Sequence, residues 1–204
     1  MGLTTDFDER LLGVGFTDAE AELALNCEAA VTLPDAWATL NSLGIPGPAI
    51  TGAGDGYFAS IHVAAVVPLP ENLFEFAHNL TDQTGAKVAF VVPMLDEIGR
   101  TQSFVACNTQ FTRATRWRRT LAMLGMEGLL APRIAPLRVF RTVIDWLRAD
   151  RDGLVIFDFP LAAERLCRAE ALAVDDVAFG RELSEKLHIG PPRILVRASE
   201  RAAA

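Results

Sequence analysis

Three aspartates and four arginines are the residues of this chain whose types and spacing could do chemistry. Asp158 follows the apolar run 154–157, and the pair Asp175 and Asp176 follows the run 171–174. If both runs are strands of a parallel sheet, their C-terminal ends are where open α/β sheets hold ligands. Carboxylates gathered there could hold Mg²⁺ beside a phosphate, because a hard cation takes oxygen ligands and orients phosphate oxygens. That chemistry would be Mg²⁺-dependent phosphoryl transfer or phosphate-ester hydrolysis. Helix capping accounts for the same acids with fewer assumptions. Asp158 stands just before Pro160, where a first helical turn would begin, and Asp175 or Asp176 can cap the helical segment 177–187.

The arginines are Arg113, Arg116, Arg118 and Arg119, in a segment with no acid of its own. Their guanidinium forks suit phosphates, so an anionic partner such as nucleic acid is the first expectation. Charge placement sharpens the point. Residues 1–100 carry 14 acids against three bases, 101–151 nine bases against three acids, and 152–204 nine acids against seven bases, within a net charge of −7. A basic stretch in an acidic chain can equally dock on its own acidic half, within one molecule or in a homo-oligomer.

Other chemistries find no support. The chain has no GxSxG elbow, no GxxxxGK[ST] loop and no HExxH, and its three cysteines, Cys27, Cys107 and Cys167, are too far apart for a CxxC pair. Gly52, Gly54 and Gly56 suggest a phosphate loop, but an alternating, strand-like run follows them where such a loop needs a helix. They read as a hairpin connection after a strand near 49–51. His62 falls on the less apolar face of that run, as a half-buried structural histidine. Apart from Mg²⁺ under the phosphoryl-transfer reading, no cofactor is expected.

The elements that must position these residues follow from periodicity. Thr17 and Glu20 form a capping box for a helix from about 18 to 30, and Pro34 opens a second that Gly44 ends, giving N-terminal helices over 18–43. A strand, an amphipathic helix over 71–84 and the strand KVAFVV make a βαβ unit at 57–92 with parallel strands. The run 103–109 is a further strand. Apolar positions at helical spacing predict an arginine-bearing helix pair over 111–149. Three apolar runs alternating with two helical segments make a C-terminal βαβαβ unit at 153–197. The fold class is therefore α/β, with a mainly parallel or mixed sheet, flanking helices and one domain over 1–204.

Residues 1–10 lack the basic end and apolar stretch of an export signal, and no apolar run reaches the ~20 residues of a membrane span. A cytoplasmic protein with no membrane partner is expected. If the four arginines grip phosphates, binding to mixed DNA and RNA should weaken steeply as salt rises, and no binding at low salt would end that reading.

Overall fold

Glycine-free alternation of inward and outward side chains makes His62–Leu69 the best-defined strand of the chain, and the first half of the fold is wound around it. The computed structural model describes residues 17–52, 57–77, 85–129, 135–167, 169–187 and 193–196. Among these, no helix is long and apolar enough to cross a membrane. The chain divides into two units, 1–121 and 122–204, each with its own sheet.

The first unit begins with α1 (Asp18–Asn26), which carries the expected capping box. Thr17 Oγ accepts from the Glu20 N–H at 3.1 Å, and the Glu20 carboxylate accepts from the Thr17 N–H at 2.9 Å. After the two-residue β1 (Glu28–Ala29) come α2 (Pro34–Ser42), closed by Gly44 at φ 78°, and α3 (Gly47–Thr51), where a strand was expected. Then follow β2 (His62–Leu69), β3 (Leu73–Phe76), β4 (Lys87–Leu95), β5 (Thr101–Cys107) and β6 (Ala114–Arg116). β2 pairs antiparallel with β3 and with β4, β4 with β5 and β5 with β6, and β6 returns parallel to β3. The five strands close into a barrel. Ala64, Val66, Phe74, Phe76, Ala89, Val91, Phe104 and Ala106 form its core, with Ala19 and Leu23 of α1 packed on them.

The expected βαβ unit at 57–92 is therefore replaced by antiparallel pairing. Glu71 and Asn72 take positive φ (61° and 58°), which breaks the helix at its first turn, and Phe74 and Phe76 are buried while Glu75 is exposed. Phe76 fits a helical stripe and a strand face equally well, but Phe74 shares a face with it only in a strand, and the barrel interior takes both. Residues 78–84, the rest of the expected helix, lie outside the described residues, as do Gly54 and Gly56. His62 is also corrected: it is fully buried on the inward face, with its Nε2 3.1 Å from Ser60 Oγ.

The second unit contains β7 (Met123–Leu124), β8 (Leu137–Phe140), α4 (Val143–Arg148), β9 (Leu154–Ile156), α5 (Phe159–Leu166), β10 (Ala171–Val174), α6 (Val177–Leu187) and β11 (Arg193–Val196). Strand order is β11-β10-β8-β9-β7, with β8 to β11 parallel and β7 antiparallel on β9. The expected run β9-α5-β10-α6-β11 is present. Its first two strands are not neighbours, because β8 inserts between them.

β8 comes from the stretch expected to be helical, so the arginine-bearing helix pair over 111–149 does not form. Its first half is β6 and irregular chain, recruited to close the barrel. Its second half is β8 followed by the single helix α4, which Thr142 caps by accepting from the Asp145 N–H. The fold is mixed α/β, as expected, with a closed barrel that the sequence reading did not include.

Two glycines lock the second unit. Gly125 (φ 82°) and Gly153 (φ 135°) face each other so closely that a Cβ on Gly125 would fall on the Gly153 carbonyl oxygen, which also accepts from Trp146 Nε1 at 2.9 Å. Gly125→Ala should therefore lower stability in urea denaturation by at least about 2 kcal/mol. Gly99→Ala, at φ 83° with open space around it, should cost only about 1 kcal/mol for the backbone conformation alone; equal losses would show that the close approach carries no energy.

Candidate functional site

Strand register places two cations at one mouth of the barrel. Val66 pairs with Lys87, Ala64 with Ala89 and His62 with Val91, so Lys87, Ala89 and Val91 share the inward face of β4. On the neighbouring strands Val91 pairs with Ala106 and Ala106 with Thr115, so Thr115 is inward, and Arg113, two residues earlier, continues that face to the rim.

Interior filling is uneven. Phe76 meets Phe74, Phe104 and Trp117 at ring separations of 5.4, 5.7 and 6.2 Å, and Phe104 lies 5.2 Å from Trp117. Where the inward residues are Val66, Ala89, Ala106 and Thr115 there is no ring, and a cavity of ≈ 340 Å³ opens between them and the rim residues Lys87 and Arg113. No carboxylate is among its described lining residues. Neither the Lys87 ammonium nor the Arg113 guanidinium has a partner among the described residues.

The turn that carries Arg113 is held firmly. Asn108 Oδ1 accepts from the Arg113 N–H at 3.1 Å, Asn108 Nδ2 donates to Thr112 Oγ1 at 2.8 Å, and the Phe111 N–H donates to the Asn108 carbonyl at 2.8 Å. Phe111 stacks on Phe90 with centroids 5.5 Å apart. Cys107 also borders the cavity, but burial pushes its thiol well above its ordinary pKa, so it stays protonated and is no nucleophile.

The other three arginines are engaged elsewhere. Arg118 lies over the Trp117 ring (3.9 Å to the centroid) and 3.8 Å from the Asp18 carboxylate, Arg119 bonds Glu71, and Arg116 donates to the Leu121 carbonyl at 3.3 Å. Of the four arginines of the sequence motif, Arg113 alone lines this cavity among the described residues. Lys87, from a distant strand, joins Arg113 instead. Sequence reading passed over Lys87; its place two residues before Ala89 in an alternating run was the available signal.

The aspartates of the second unit act as caps. Asp158 Oδ1 accepts from the Leu161 N–H at 3.2 Å, and Asp176 Oδ1 from the Phe179 N–H at 2.6 Å. They stand at the ends of β9 and β10, and with β8 between those strands the ends are about 10 Å apart at ordinary strand spacing. The end of β8 holds Arg141, which bonds Glu182 at 2.7 Å and lies 3.9 Å from Asp176, while Lys186 reaches the same glutamate at 2.7 Å. The Lys186 and Arg141 hydrogen bonds hold the Glu182 carboxyl below its ordinary pKa. Asp175 is exposed. No three His, Cys, Asp or Glu side chains among the described residues gather in a way that could hold a metal ion.

No protein-family model matches the chain, and no curated protein matches it.

The pairs of Arg118 and Arg119 are exposed, so Arg119→Ala should cost no more than about 1 kcal/mol in urea denaturation, and less at high salt. A larger loss, or one indifferent to salt, would mean that Arg119 does more than pair with Glu71.

Proposed function

We propose that the protein is a binding module whose ligand is a small anion with an apolar body, held at the barrel mouth with its charged head at the rim. The observation that carries this reading is the pair of cations, Lys87 and Arg113, without a partner among the described residues, on the rim of a cavity floored by Val66, Ala89 and Ala106. Such a site divides the work: apolar burial supplies most of the affinity, and the cations select charge and orientation. The reading keeps the anionic partner expected from the sequence but narrows it. Arg118 and Arg119 have acids of their own, so a long phosphate backbone finds fewer free cations here than the motif suggested. Arg113 retains its role, and Lys87 replaces the others.

Octanoate is a suitable probe: one carboxylate, one flexible apolar chain. Calorimetric titration should give saturable binding that Lys87→Ala and Arg113→Ala each weaken by up to about five-fold, the worth of one exposed charge pair. Ala106→Leu, which fills the cavity, should remove binding while circular dichroism stays that of the folded protein. If that variant misfolds, Ala89→Val provides the smaller obstruction. Absence of binding, or binding indifferent to all of these changes, would overturn the proposal.

A further inference from the structure

Beside the barrel mouth lies a second cavity of ≈ 340 Å³, formed on the other face of β4. Val63, Val88 and Phe90, on the outward register of β2 and β4, make one wall, and Leu33, Asp35 and Thr39, from the start of α2, make the other. The two cavities share Val88, Ala89 and Thr109 in their linings, so they adjoin across the first turn of the β4 edge. Val88 is 54% exposed there. A branched apolar side chain left that open between two concavities is a surface for an apolar chain to lie on.

The charges at the two ends differ in sign. The mouth is lined by Lys87 and Arg113, whereas the second cavity is lined by Asp35, whose carboxylate has no cationic partner among the described residues. Asp35 also stands in the first turn of α2, where negative charge is favoured by the helix itself. Helix stability does not require that it line a cavity adjoining one lined by cations.

From this arrangement we infer that the ligand is two-headed: an α,ω-amino carboxylate, or a molecule of that chemistry, with its anionic group at Lys87 and Arg113, its apolar chain running from the barrel-mouth lining over Val88 and its ammonium group at Asp35. The inference rests on the barrel-mouth reading and adds the second anchor. It also sets a length requirement, since the second head adds affinity only when the chain spans Val88 from one lining to the other.

The test compares octanoate with its ω-amino derivative, and butanoate with its own. The ω-amino derivative of octanoate should bind about five-fold more tightly than octanoate, the gain expected of one added exposed charge pair. The shorter pair should show no gain. Asp35→Asn should lower the long amino acid to the affinity of octanoate. Asp35→Glu, which keeps the charge, should retain most of the gain. Should octanoate bind through Lys87 and Arg113 while its amino derivative binds no better, the two-headed ligand is wrong and the mouth stands. If neither binds, both fall. A gain that survives Asp35→Asn would also overturn the inference, because the ammonium group would then be held elsewhere.

Discussion

The double pairing of β2 is the constraint on which the first unit depends. Through His62 to Val66 it bonds β4 on one edge, and through Val66 to Leu69 it bonds β3 on the other, with β1 beside His62 and Val63. A strand bonded on both edges leaves no template for another chain, and closing the sheet in this way decides which side chains point inward. Every inward residue is fixed by that one register: His62, Ala64 and Val66 on β2 determine Lys87, Ala89 and Val91 on β4. A slip of one residue would send Lys87 outward and Val88 into the core. The candidate site is thus a property of strand pairing before it is a property of any residue in it.

Interior volume follows from the same register. A barrel of five strands has room for a limited number of side chains, and here Phe74, Phe76 and Phe104, with Trp117 against them, occupy one part of it. Ala89 and Ala106 are too small to match them. Close packing is the rule in protein interiors, so a concavity bounded by two alanines, with cations at its rim, stands out from the rest of the core. In the second unit charges are handled differently. Arg151 lies half-buried beside Trp146, and desolvation draws its pKa down to about 10 while Glu127 and Asp150 act against that fall. It remains a cation at neutral pH.

Local chemistry was legible in the sequence. The Thr17 capping box, the Gly44 stop, the caps at Asp158 and Asp176 and the Glu182–Lys186 pair all depend on residues within four positions of one another, and all are present. What could not be read was pairing between distant segments. Phe76 fits two periodicities, and only the presence of β2 and β6 beside its strand settles the choice. Leu137 to Phe140 likewise looked like the start of a long helix until β9 and β10 took it as the middle strand. The arginine motif lies in extended chain rather than the expected helix, and there Arg113 lines the barrel mouth while Arg118 and Arg119 pair with Asp18 and Glu71. The cation that joins Arg113 comes from a strand that sequence proximity could not connect to it.

The position of β8 has a consequence for how the second unit is made. On the ribosome the middle strand of the sheet emerges before both of its neighbours, β9 and β10, and β7 emerges before β9, the strand it pairs with. Its two edges must wait for later chain. The barrel, by contrast, has all of its strands once Arg116 has been added, and N-terminal units generally fold first during synthesis. A nascent chain halted between β9 and β10 would therefore carry a finished barrel joined to a half-sheet with one bare parallel edge, the kind of surface on which chains associate and chaperones act.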